Sequence, residues 1–150
     1  MKDLPDNGPY NIFAETEMTV EFFHCDPMGV VWHGNYLDFF EFARRAVLEK
    51  IGYHYDDMKN SGFSFPVVEA TAKYIGFLQY RDRALVKAIL VEYENSLKFK
   101  FEIRNAKTGR ITTKGTTTQM AFNYRENESC FVSPQILVDK IEAFIKRNEQ

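Results

Sequence analysis

The stretch from Asn35 to Ile51 is spaced as one helix, yet very little of its circumference is polar. Tyr36, Phe40, Ala43, Val47 and Ile51 stack along one side at three- and four-residue intervals, and Phe39, Phe42 and Ala46 widen that stripe. Asp38, Glu41, Arg45 and Glu49 form the polar strip, and Gly52 is placed to end the helix. A surface helix does not need so wide an apolar arc, so the remaining chain must wrap around this one.

Most of that remaining chain reads as strand. From Glu15 to His24, Met18, Val20 and Phe22 alternate with Thr19, Glu21 and Phe23, the period of a strand with one buried face. Further strands are predicted near Phe65 to Ile75, Ala84 to Tyr93, Leu97 to Arg104 and Arg110 to Tyr124, with a hairpin through Lys107-Thr108-Gly109 joining the last two. Ser133-Pro134 reads as an N-cap followed by proline at the first helical position, so a closing helix is expected over 133–147. The order β-α-β-β-β-β-α predicts an α+β architecture, a curved antiparallel sheet of about five strands around the central helix. The 150 residues are expected to form one domain, with residues 1–14 as a polar leader.

Charge and composition exclude several classes. A net charge of −2 supplies no field for a phosphate backbone, so no nucleic-acid partner is expected. No apolar run is long enough for a transmembrane segment, and Met1 to Tyr10 holds acids, prolines and a glycine instead of a signal core. Cys25 and Cys130 lie far apart with no CxxC pair, which favours free thiols and a cytoplasmic setting.

The candidate chemistry is concentrated in His24-Cys25-Asp26-Pro27-Met28-Gly29-Val30-Val31-Trp32-His33-Gly34-Asn35-Tyr36, an acid and two histidines leading straight into the helix. Asp26-Pro27-Met28-Gly29 is turn chemistry, so Asp26 is expected in a bend at a strand's end. A helix start offers free backbone N–H groups and the positive end of the dipole, which together stabilise an oxyanion. Two readings of Asp26 stand side by side: a carboxylate facing the same carbonyl as those N–H groups, or a residue that merely opens an Asx-turn. His24 and Cys25 are a poor nucleophile pair, because neighbours on a strand point to opposite faces. No metal is expected, since His24, Cys25, Asp26 and His33 lack the usual ligand spacing. Glu41 reads as a solvated or ion-paired residue beside Arg45, and His54 as an ordinary loop residue.

The run from Asp26 to Leu37, continuing Phe39-Phe40-Glu41-Phe42-Ala43-Arg44, resembles the signature of hotdog-fold acyl-CoA thioesterases of the 4-hydroxybenzoyl-CoA thioesterase and YbgC-like branch. The resemblance extends through Tyr80-Arg81-Asp82 and spans roughly Thr16 to Tyr124. It implies hydrolysis of an acyl-CoA or acyl-carrier-protein thioester to acid and free thiol, with coenzyme A as part of the substrate and no cofactor. By position it implies Asp26 as nucleophile or general base and the backbone amide of His33 as oxyanion donor. Trp32, Gly34, Asn35 and Tyr36 are the substrate-binding candidates: Gly34 lets substrate approach the backbone, Asn35 caps the helix and Tyr36 lines the acyl pocket. The resemblance further implies a homodimer, or a tetramer of such dimers, with active sites shared at the interface. Many relatives carry a second acid two residues before the aspartate, where this chain has His24.

Overall fold

Phe40 lies flat on Phe101, ring centroids 4.4 Å apart and 9° from parallel, and this stack joins the central helix to the sheet that curves around it. In the computed structural model, which describes residues 7–149, that helix is α1 (Asn35–Lys50). The sheet holds β1 (Phe13–Thr19), β3 (Val67–Tyr74), β4 (Arg83–Glu92), β5 (Leu97–Asn105) and β6 (Ile111–Gln119) in the order β1-β4-β5-β6-β3, each pair antiparallel. Alternate residues of β4 (Ala84, Val86, Ala88, Leu90) and β5 (Leu97, Phe99, Phe101, Ile103) are buried against α1, the period of a strand with one covered face. Gly115 of β6 pairs with Phe101 of β5, and a Cβ on Gly115 would lie 2.5 Å from the Phe40 ring and 2.5 Å from the Thr71 carbonyl oxygen. Glycine at this position is what lets the helix sit so close. This is the hotdog arrangement expected from the sequence.

Five local readings need correction. β1 ends at Thr19 and the expected continuation to His24 is a 3₁₀ turn over Phe22–His24, with Val20 N–H donating to the Asp82 carbonyl at 2.8 Å. Pro134 itself occupies the cap position before α3 (Gln135–Asn148), because its ψ of 143° is extended and not helical, and the Ser133 N–H donates to the Glu94 carbonyl at 2.8 Å. A short helix, α2 (Tyr55–Ser61), follows α1. His54 caps it, Nδ1 accepting from the Asp56 N–H at 3.3 Å while Asp57 accepts from the His54 N–H at 3.2 Å. Strands β2 (Phe63–Ser64), β7 (Phe122–Asn123) and β8 (Glu128–Ser129) make a second small sheet, so the strand expected to run to Tyr124 stops at Gln119. Part of the expected leader, Met1 to Asp6, lies outside the described residues, whereas Ile12 is in the core and Phe13 begins β1.

The charged side of α1 also differs from the wheel. Arg44 is only 6% exposed, its guanidinium donating to Thr117 Oγ1 at 3.4 Å and pairing with Glu41, which also accepts from the Tyr55 hydroxyl. Glu41 is therefore ion-paired at i+3 and not with Arg45, which instead lies 4.0 Å from Glu49 on the exposed side. No helix among the described residues is long and apolar enough to cross a membrane.

Candidate active site

The Asp26 segment is a miniature hairpin. Cys25 bridges Val31 antiparallel, the Asp26 N–H donates to the Val30 carbonyl at 2.9 Å, and the Gly29 N–H donates to the Asp26 carbonyl at 2.9 Å. Pro27 pre-sets the first corner and Gly29 takes φ 81°, which closes a turn of this length at no steric cost. The Asp26 carboxylate takes part through one oxygen, Oδ1 accepting the Met28 N–H at 2.8 Å. An Asx-turn is thus present. The other carboxylate oxygen has no hydrogen-bond partner among the described residues.

The hairpin is clamped to the loop between β3 and β4 and to the helix start. Val31 N–H donates to the Leu78 carbonyl at 2.9 Å and Val30 bridges Gln79. The His24 carbonyl accepts both the Trp32 N–H at 2.9 Å and the Asn35 side-chain amide at 2.7 Å. Asn35 is the first helical residue, so its side chain ties the hairpin to α1 and does not cap it; Gly34 occupies the cap position with no side-chain cap. His24 and Cys25 turn back into the 3₁₀ turn, His24 Nδ1 accepting the Glu21 N–H at 2.9 Å and the Cys25 thiol approaching the Glu21 carbonyl at 3.8 Å.

The orientation of the His33 amide follows from its neighbours. The Trp32 carbonyl accepts the Asn35 N–H at 2.9 Å. A planar trans peptide sets N–H and C=O on opposite sides, so the His33 N–H of that same unit points away from the helix interior. It has no hydrogen-bond partner among the described residues. The next carbonyl, that of His33, accepts the Tyr74 hydroxyl at 2.9 Å, which fixes the first turn of α1 to β3. Sequence reasoning missed Tyr74, since an aromatic residue at a strand end carries no signal of where its hydroxyl will reach.

Trp32, 50% exposed, lies beside His33 with ring centroids 5.0 Å apart, and its indole covers Gly34. A Cβ on Gly34 would stand 2.2 Å from Trp32 Cζ3. The space over the Gly34 backbone, expected to admit substrate, is thus filled by the indole. Trp32 is the only tryptophan in the chain, so its fluorescence reports on this corner alone. Gly34→Ala is expected to swing the ring outward and red-shift its emission, at about 1 kcal/mol or less because a half-exposed side chain can yield. An unmoved emission maximum would mean that the ring does not rest on Gly34.

Tyr36 is buried, its hydroxyl accepting the Leu78 N–H at 3.2 Å. Burial raises its phenol above the usual tyrosine range, an effect that the Leu78 hydrogen bond partly opposes. In a single chain it is a wall behind the site, in edge contact with Phe39 and tilted against Tyr74.

Comparison with known proteins places this architecture. The model of the thioesterase-like superfamily matches residues 20–140. YneP of Bacillus subtilis (strain 168), named as a candidate acyl-CoA thioesterase, is 31% identical over 109 residues, 71% of this chain and 78% of the relative. The crystal structure of a DHNA-CoA thioesterase from Staphylococcus aureus superposes with a TM-score of 0.80 at 29% identity, covering 91% of each chain. A 4-hydroxybenzoyl-CoA thioesterase mutant complexed with 4-hydroxybenzoyl-CoA shares the fold at a TM-score of 0.76 and 17% identity, over 87% of this chain and 99% of that one. With a hairpin-borne aspartate at the foot of a wrapped helix, and a family match across most of its length, this chain belongs to the thioesterase-like superfamily.

Proposed function

We propose that the protein hydrolyses acyl-CoA thioesters, water and thioester giving free acid and coenzyme A. The observation that carries this reading is the pairing of two unengaged groups on one clamped segment: a carboxylate oxygen of Asp26 and the N–H of His33. Asp26 attacks the thioester carbonyl or takes the proton of the attacking water, and the His33 N–H receives the charge that builds on the carbonyl oxygen. The helix dipole adds to that stabilisation. Trp32, Gly34, Asn35 and Tyr36 shape and hold the surroundings.

A second copy of the chain completes the site. Of the eight residues of β3 none is fully buried, although Val67, Val68 and Tyr74 are large and apolar, and β3 is the last strand of its sheet, with one edge unpaired. Such an edge is usually covered, and pairing with its own equivalent does so with two-fold symmetry. Tyr74 ties this edge to His33, so a partner joined there abuts the helix start. The free thiols of Cys25 and Cys130 agree with a reducing cytoplasm.

Thiol release from short, long and aromatic acyl-CoAs, and from acyl-carrier-protein thioesters, tests the reading. Wild-type turnover that persists in full after Asp26→Ala would remove the proposed chemistry.

A further inference from the structure

The loop that leaves β3 and the hairpin that joins β5 to β6 enclose a cleft of about 430 Å³. Its lining starts at Ile75, one residue after Tyr74, and its loop side ends at Phe77, one residue before the Leu78 that holds Val31. The cleft therefore adjoins the clamped hairpin and the helix start on their β3 side.

Arg110 is the one charged residue in the lining. The hairpin that carries it is held by its own side chains: Asn105 Oδ1 accepts the N–H groups of Lys107 at 2.9 Å and Thr108 at 3.2 Å, and Thr108 Oγ1 accepts the Arg110 N–H at 3.2 Å. Among the described residues no carboxylate pairs with the Arg110 guanidinium, whereas the neighbouring Arg104 is engaged by Glu102 and the Gly109 carbonyl. From residue 102 to residue 114 the hairpin and the strand ends beside it hold Arg104, Lys107, Arg110 and Lys114 against a single acid, Glu102. In a chain of net charge −2 this is a local positive field. Beside it Phe77 is 68% exposed and presents a bare ring.

An unpaired guanidinium in a positive field suits phosphate, and an exposed aromatic ring suits a nucleobase. We propose that this cleft receives the nucleotide end of coenzyme A, with Arg110 on its phosphates and Phe77 against its adenine. The inference rests on the thioesterase reading and adds where the far end of the carrier lies.

Coenzyme A itself, without an acyl group, is the probe for a calorimetric titration of the wild type, Asp26→Asn, Arg110→Glu and Arg110→Ala proteins. Wild type and Asp26→Asn are expected to bind it alike, and both Arg110 variants more weakly, Arg110→Glu by about tenfold or more. In kinetics, the kcat/KM for an acyl-CoA relative to the same acyl group on N-acetylcysteamine is expected to fall about tenfold in Arg110→Glu, through KM. Phe77→Ala is expected to lower that ratio several-fold. The proposal is overturned if Arg110→Glu binds coenzyme A as wild type does, if both thioesters lose activity in proportion, or if the loss is confined to acyl-carrier-protein substrates. Should wild type release no thiol from any thioester, loss of coenzyme A binding in Arg110→Glu would still uphold the cleft while the hydrolytic reading falls.

Discussion

Asp26→Asn is expected to lower thioester turnover by about 10²- to 10⁴-fold while leaving the fold in place. The turn contact of this residue and the chemistry proposed for it fall on different atoms. Oδ1 accepts the Met28 N–H and so holds the turn; asparagine keeps an oxygen that can do the same. The second oxygen, which has no partner among the described residues, becomes an amide NH₂ that can neither attack a carbonyl nor accept a proton from water. Thiol release and thermal unfolding measured on the same preparation therefore separate chemistry from architecture. An unchanged melting temperature with turnover lost assigns Asp26 to the reaction. Turnover equal to wild type would mean that the residue serves the turn alone.

The largest expected effect on stability is at Phe40, where substitution by alanine should cost about 3–5 kcal/mol in a urea unfolding experiment. The ring is fully buried between Phe101 and the bare backbone of Gly115. A hole at this point has a glycine on one side and a flat ring on the other, so neighbouring side chains have little with which to fill it. Against a typical domain stability of about 5–15 kcal/mol, such a loss would leave the protein marginal. A cost near 1 kcal/mol would show that the helix is seated on the sheet elsewhere.

Much of this was legible in the sequence because it rests on periodicity. The period-two burial of Leu97, Phe99, Phe101 and Ile103 and the wide apolar arc of α1 each announce their partner surface, and the turn residues Asp26-Pro27-Met28-Gly29 announce a bend. What escaped depends on contacts distant in sequence or on pieces too short to have a period. α2 is seven residues long and is capped by an imidazole, an uncommon N-cap, so neither length nor cap signals it. Arg44 looks like any helix-surface cation until β6 brings Thr117 within 3.4 Å of it. The strands of the small sheet have two residues each, too few for alternation to be read.

If two copies pair along β3 as proposed, the hydrogen bond from Tyr74 to the His33 carbonyl joins two equilibria that would otherwise be independent. One is self-association along the open strand; the other is the ordering of the first peptides of α1. Linkage then makes each a lever on the other: whatever favours pairing of two copies also firms the helix start, and a ligand that needs that start firm drives pairing. An enzyme paired in this way would sense its own abundance. Its turnover per chain should rise with protein concentration and level off once chains are paired, a dilution curve that steady-state assays would record alongside sedimentation, and a flat curve spanning both monomer and dimer would break the link.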